Sequence, residues 1–249
     1  MSLFRSIKLI AANNLSFLGP VKRTAVAFLD SRAPLKASYS QHGEDAWILK
    51  ELSGLDLSDG MYVEIGANHP TTISNTYLLY RHGFRGIVIE PNLELLSLHR
   101  RVRPKDIQIG VGCGSESGIA KFHLFSTPVA SSFDIHHTER VKDAKVLRVD
   151  YLPILTLDAL LKSFPHKWVY FLSIDTEGFD YQVILGAKET LKKTLWLCVE
   201  TNDEKSEREL KAALENDFEL VKRFSCNMIF RNRYFAGNSN GKHKGIAGR

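Results

Sequence analysis

Met61-Tyr-Val-Glu-Ile-Gly-Ala-Asn-His-Pro70 runs a short apolar strand straight into a Glu, a Gly and a turn. This is the pattern of the first strand of a nucleotide-type α/β sheet, in which the ligand lies beyond the carboxyl ends of the strands. Glu64, Gly66 and Asn68 are thereby placed at the mouth of a site. Gly86-Ile-Val-Ile-Glu-Pro91 repeats the pattern and ends on Glu90, where a carboxylate can accept both hydroxyls of a ribose. The pair points to an adenosine-containing ligand. A dinucleotide needs a glycine-rich loop whose backbone N–H groups approach its pyrophosphate, whereas Gly66-Ala-Asn-His-Pro-Thr71 holds one glycine and a bulky His-Pro. S-adenosylmethionine carries a ribose and a sulfonium cation but no phosphate, and is favoured over NAD. The alternative is a plain strand-end acid at Glu64 and a turn glycine at Gly66.

Further along, Trp168-Val-Tyr-Phe-Leu-Ser-Ile-Asp175 is a near-continuous apolar run, as a strand buried on both faces must be. It ends on Asp175-Thr-Glu-Gly178 and a helix through about Leu191, and Leu195-Trp-Leu-Cys-Val-Glu200 repeats the device. Glu64, Glu90, Asp175 and Glu200 thus each terminate an apolar strand, and a parallel sheet would gather them on one edge. Any one of them could instead be an acid balancing a helix dipole. The remaining spacing predicts a helix over 41–52 with a capping box Ser38-x-x-Gln41, a helix from Thr71–Ser74 through about His82, and a helix over 92–102 closed by Pro104. A strand over 107–112 and a second over 119–125 read as an extra hairpin, and a short helix begins near Thr156. An amphipathic helix spans 206–216, and 218–224 with 226–231 form a closing hairpin. Residues 126–147 show no period and read as a substrate-facing or disordered loop.

The 249 residues are 44% hydrophobic and 24% charged, an ordinary globular composition with room for one sizeable core. Cys113, Cys198 and Cys226 fall in or beside strands at no metal-ligand spacing, as reduced core cysteines of a cytoplasmic protein do. Residues 1–38 carry +5 and 220–249 carry +7, so the total of +5 leaves −7 for the body between them. No basic stripe crosses the site, and no nucleic-acid partner is expected. Phe4, Ile7, Ala11, Leu15 and Leu18 trace one face of a basic helix, Gly19-Pro20 breaks it, and a second short helix spans 21–29. The segment 1–37 is read as a helical extension packed on the domain or on a second copy in a homo-oligomer. The alternative is peripheral contact with a membrane surface. The glycine-rich tail 236–249 is expected to be disordered.

Taken together, Tyr39-Ser-Gln-His-Gly-Glu-Asp45, Tyr62-Val-Glu-Ile-Gly-Ala-Asn-His-Pro70, Ser74-Asn-Thr-Tyr-Leu-Leu-Tyr80, Gly86-Ile-Val-Ile-Glu-Pro-Asn92 and Phe171-Leu-Ser-Ile-Asp-Thr-Glu-Gly178 resemble the FkbM-type S-adenosylmethionine-dependent methyltransferases over about 38–235. The resemblance implies a Rossmann-like class I methyltransferase domain: an α/β fold with a seven-stranded, mostly parallel sheet, helices on both faces and an antiparallel last strand. It also implies cofactor contacts from Gln41, Glu44 and Asp45, from Glu64, Gly66, Ala67 and Asn68, from Ser74, Asn75 and Thr76, and from Glu90, Pro91 and Asn92. Family members often carry Asp where Glu64 stands. For the transfer itself Asp175 and Glu177 are the first candidates as general base, followed by His69 and His42. Mg2+ on Asp175, Glu200 and Asp203 is the alternative. Asp175-Thr-Glu-Gly replaces the Asn/Asp-Pro-Pro-aromatic signature of DNA amino-methyltransferases, which favours oxygen as the acceptor atom. The expected acceptor is a hydroxyl of a sugar, glycan or secondary metabolite. An NAD-linked sugar oxidoreductase and an inactive nucleotide-binding module are the rival readings.

Overall fold

Alternation of apolar strands with helices builds the sheet in chain order. The computed structural model describes residues 20–126, 130–134, 145–164, 168–201 and 203–236. Helix α1 (Pro20–Arg32) and helix α2 (Glu44–Glu51) precede strand β1 (Gly60–Ile65), α3 (Tyr77–Arg81), β2 (Gly86–Ile89), α4 (Leu93–Val102) and β3 (Ile107–Ile109). After β4 (Gly112–Cys113), β5 (Gly118–Phe125), β6 (Val146–Leu155) and α5 (Leu157–Leu161) come β7 (Trp168–Ile174), α6 (Asp180–Leu185), α7 (Lys188–Lys192) and β8 (Thr194–Glu200). Helix α8 (Glu204–Leu214) leads into the closing hairpin β9 (Phe218–Phe224) and β10 (Asn227–Asn232).

The main sheet has seven strands in the order β3-β2-β1-β7-β8-β10-β9. Strands β3, β2, β1, β7 and β8 pair in parallel, and β10 runs antiparallel to β8. The chain therefore reverses its direction of winding between β1 and β7, and a cleft opens at that switch point. Val63, Ile87, Leu172, Leu197 and Val199 fill the core on one face, while Tyr62, Phe171, Trp196 and Cys198 fill it on the other. Both faces are thus covered, which is why these strands are apolar throughout rather than alternating.

Three expectations are corrected. The strands at 107–112 and 119–125 do not form a hairpin: β3 joins the main sheet, whereas β4 and β5 lie on either side of β6 in a separate three-stranded sheet. Strand β6 was masked at sequence level by Pro153, which sits opposite Ile119 at the exposed margin of the antiparallel pair. The helix expected from Thr71 begins only at Tyr77, because Ser74 Oγ accepts the N–H groups of Thr76 and Tyr77 and the preceding residues line the cleft instead. The capping box Ser38-x-x-Gln41 is absent: α2 starts after Gly43 in a left-handed conformation, and Ser38 Oγ donates to Asp45.

The described part of the amino-terminal extension, α1, packs on the domain with Ala27 fully buried. The first basic helix, most of the 126–147 loop and the tail beyond 236 lie outside the described residues. No described helix is long and apolar enough to cross a membrane. Cys113, Cys198 and Cys226 form no disulfide.

Candidate functional site

An open cleft of about 1140 Å3, counting the solvent in its mouth, lies over the carboxyl ends of β1, β2 and β7. Its floor is Glu64 to His69. One side is Ile89 to Pro91 with Leu95, and the other is Ser173 with Asp175 to Glu177. Val111, Gly112, Cys113 and Phe122 close it from the smaller sheet, together with Ser131 to Phe133.

The floor is fixed by a close approach of two strands. Gly66 has φ +74°, and a Cβ there would overlap the Asp175 carbonyl oxygen, while Asp175 N donates to Ile65 O at 3.0 Å. Asn68 also takes a positive φ, of 47°. Its N–H donates to Glu90 Oε2 at 2.8 Å, and its carbonyl accepts from His99 Nε2 at 2.8 Å. Burial holds the His99 imidazole well below its ordinary pKa, so it is neutral.

Glu90 is the centre of the side formed at the end of β2. Oε2 holds the Asn68 N–H and Oε1 the Asn92 N–H, each at 2.8 Å. A carboxylate oxygen has two acceptor sites, so each keeps one for a further donor. Burial pushes its pKa up to about 7 against the opposing effect of the two amides, with the nearby Glu64 adding to the rise. Pro91 lines the cleft beside it, whereas Asn92 faces the other way and caps α4 by accepting from Glu94 N.

Glu64 is committed elsewhere. Its Oε2 accepts from Arg103 Nη1 at 3.0 Å and Thr76 Oγ1 at 2.6 Å, and its Oε1 from Ser74 Oγ at 3.1 Å. Arg103, fully buried, also donates to Asp106 Oδ2 at 2.8 Å and to Tyr62 Oη at 2.9 Å. Ser74 and Thr76 thus serve the carboxylate from outside the cleft, and Asn75 alone of that triplet lines it, donating from Nδ2 to Ser173 Oγ at 3.1 Å.

The motif at 39–45 lies away from the cleft. Asp45 accepts from Ser38 Oγ, Tyr39 N, Ser40 N and Oγ, and Ala46 N. Glu44 holds His42 N and Asn227 Nδ2. These two buried acids clamp their own loop, and none of residues 38–45, Gln41 and His42 included, lines the cleft. His69 does line it, but its Nε2 is 3.3 Å from Arg23 O and its Nδ1 accepts from Thr72 N at 3.2 Å. Burial brings its pKa down to about 4. The ring is neutral, with both nitrogens occupied.

Asp175 and Glu177 stand on the side of the cleft facing the smaller sheet. Their loop is shaped by Asp180, which accepts from Thr176 N at 3.0 Å and Gly178 N at 3.2 Å. Burial and the nearby Glu200 raise the Asp180 pKa to about 6. Ser132 Oγ ties the same loop to the smaller sheet, 3.0 Å from Glu177 O. One carboxylate oxygen each of Asp175, Glu177 and Glu200 fall within 4.8 Å of one another. Asp203, the third residue of the expected set, is outside this group, and its carboxylate caps α8 by accepting from Ser206 N at 2.8 Å.

Sequence reasoning missed Arg103, His99, Asp106 and Asp180, because a charge inside a helix or turn carries no local sign that a tertiary partner awaits it. It also missed Arg23, Val111, Phe122 and Phe133 as cleft residues, since β6 and the docking of α1 had not been seen.

Residues 64–232 match the model of the Methyltransferase FkbM domain. No curated protein matches the sequence. Among solved structures the chain is similar to the methyltransferase FkbM from Methylobacillus flagellatus KT at 13% identity and a TM-score of 0.49, covering 90% of this chain and 58% of that one. It is also similar to the METTL16 MTase domain, at 12% identity and a TM-score of 0.49 over 87% of this chain and 81% of that one. The N-terminal domain of human METTL16 in complex with SAH gives 12% identity and a TM-score of 0.47, over 87% and 83%. The chain thus spans under two thirds of the Methylobacillus protein.

Proposed function

This chain belongs to the FkbM methyltransferase family, and we propose that it transfers a methyl group from S-adenosylmethionine to a hydroxyl of a sugar, glycan or secondary metabolite. Glu90 carries the cofactor reading. Its two oxygens, each held by one backbone N–H and each with an acceptor site left, suit the paired hydroxyls of a ribose. A pyrophosphate is poorly served, because the loop after β1 has a single glycine and α3 does not begin until Tyr77, leaving no helix N-terminus behind the loop.

The bound cofactor supplies an electrophilic methyl group, and the protein's share is to align the acceptor, take its proton and exclude water. Asp175 and Glu177 place negative charge beside the cofactor half, where a sulfonium is stabilised. Glu177, held by Ser132 through its backbone, is the base that receives the hydroxyl proton as the new C–O bond forms. A second reading is favoured by the 4.8 Å grouping of Asp175, Glu177 and Glu200: a divalent cation held there would lower the hydroxyl's pKa in place of a base.

Calorimetric titration with S-adenosylhomocysteine and, separately, with NADH tests the reading. We expect S-adenosylhomocysteine to bind and NADH not to, with the affinity falling about tenfold or more in Glu90→Ala, the scale of hydrogen bonds to a charged group. Binding of NADH alone would transfer the assignment to the oxidoreductase reading, and binding of neither would leave an inactive module.

A further inference from the structure

Helix α1 lies outside the segment that matches the family model, which begins at residue 64, yet it is built into the wall of the cleft. Arg23 O lies 3.3 Å from His69 Nε2, and the same imidazole holds the N–H of Thr72 in the floor loop. About two turns further on, Asp30 Oδ2 accepts from Thr71 Oγ1 at 3.1 Å. Arg81 then fixes the end of the helix by donating to Ala33 O at 3.2 Å. The helix is therefore pinned to the loop that forms the floor, and Arg23, its side chain 15% exposed, is among the residues that line the cleft.

Charge decides what Arg23 is for. Among the described residues that line the cleft it is the one Lys or Arg, against Glu64, Glu90, Asp175 and Glu177. Among the described residues its ion-pair partner is Glu94, at 3.9 Å and with a side chain 66% exposed, and so solvated a pair contributes little. The guanidinium is free to exchange that partner for a better one. S-adenosylmethionine has a single anionic group, the carboxylate of its amino-acid end, and a planar guanidinium matches a carboxylate with two parallel N–H donors.

We infer that Arg23 binds the cofactor's carboxylate, which makes the amino-terminal helix a working part of the cofactor site rather than an appendage. The inference rests on the S-adenosylmethionine reading above. It assigns the two ends of the cofactor to different parts of the chain: the ribose to Glu90 within the family domain, and the carboxylate to α1 outside it.

The test titrates the full chain and its Arg23→Ala and Arg23→Lys variants with two ligands. S-adenosylhomocysteine has the carboxylate, and methylthioadenosine has the same adenosine and thioether without it. Arg23→Ala is expected to weaken S-adenosylhomocysteine about tenfold or more and leave methylthioadenosine unchanged, with Arg23→Lys in between; circular dichroism melts confirm folding. Equal weakening of both ligands would reduce Arg23 to a support for the floor loop and overturn the assignment, as would no change in either. If the unsubstituted chain binds methylthioadenosine but not S-adenosylhomocysteine, the carboxylate contact fails while an adenosine site stands. If it binds neither, the cofactor reading fails and the assignment of Arg23 goes with it.

Discussion

At the scale of single residues, Glu90 is the cleft carboxylate whose protonation is set by burial, and its titration can be followed through a ligand. Its folded pKa of about 7 lies above the ordinary 4.5. Between those values the folded chain holds a proton that the unfolded chain has released. Its contribution to stability is therefore present below the ordinary pKa and is lost as pH rises through about 7. On the proposed ribose contact, ligand binding has the opposite sign, because two hydroxyls would donate to the ionised form. If only that form binds, the affinity for S-adenosylhomocysteine rises roughly tenfold from pH 6 to pH 8, and Glu90→Gln removes the slope along with much of the affinity. Calorimetry across that range decides it, and a profile equally steep in the variant would move the titrating group elsewhere. Glu90 was legible in the sequence because its position at a strand end defines its role. Arg23 was not, since its role arises only when a helix from another part of the chain docks over the cleft.

Among the elements, Arg103 is the joint that holds the first half of the sheet in register. It reaches Tyr62 and Glu64 on β1, Thr76 before α3 and Asp106 before β3 from a single guanidinium. Asp106 in turn accepts from Gly86 N at the start of β2 and from Tyr62 Oη. Burial works against the Arg103 charge, but Tyr62, Glu64 and Asp106 outweigh it and hold its pKa above the ordinary value. The Arg103 guanidinium is therefore charged at any working pH. Removing one partner of a buried pair leaves the other charge without compensation, at a cost of about 3–5 kcal/mol. Arg103→Ala is accordingly expected to lower the urea unfolding free energy by that order, whereas Arg101→Ala, on the exposed side of α4, shifts it by about 0.5 kcal/mol or less. Equal denaturation midpoints for the two variants would refute the joint. The strands it joins were legible as apolar runs of the right length, and the closing hairpin was legible as two short stretches in sequence. Strand β6 and the late start of α3 were not, because Pro153 and the run from Thr71 to Ser74 carry local signals that tertiary pairing overrides.

Across the whole molecule, the cleft lies between two sheets, each of which supplies one of its walls. The main sheet provides the floor and Glu90. The smaller sheet and the segment 131–133 provide the opposite wall, where Phe133 packs 4.9 Å from Phe122 and 6.0 Å from Phe179, centroid to centroid. Ser132 links that wall to the Asp175–Gly178 loop, since its Oγ lies 3.0 Å from Glu177 O. The main sheet belongs to a common plan and was readable from strand-end acids, whereas the smaller one is assembled from β4, β5 and β6, on either side of a segment with no periodicity. On the proposed function, shape on that side of the cleft distinguishes acceptors, and the cofactor is held from the other side. Phe133→Ala removes an aromatic from the acceptor wall without touching Glu90, Asn68 or Gly66. With whichever acceptor a screen of sugars and hydroxylated metabolites returns, the variant is expected to raise KM about tenfold, the lower range for losing a buried aromatic contact. S-adenosylhomocysteine affinity stays unchanged. A loss of cofactor affinity with an unaltered KM would show instead that the smaller sheet closes over the adenosine, and the division of labour between the two sheets would have to be reversed.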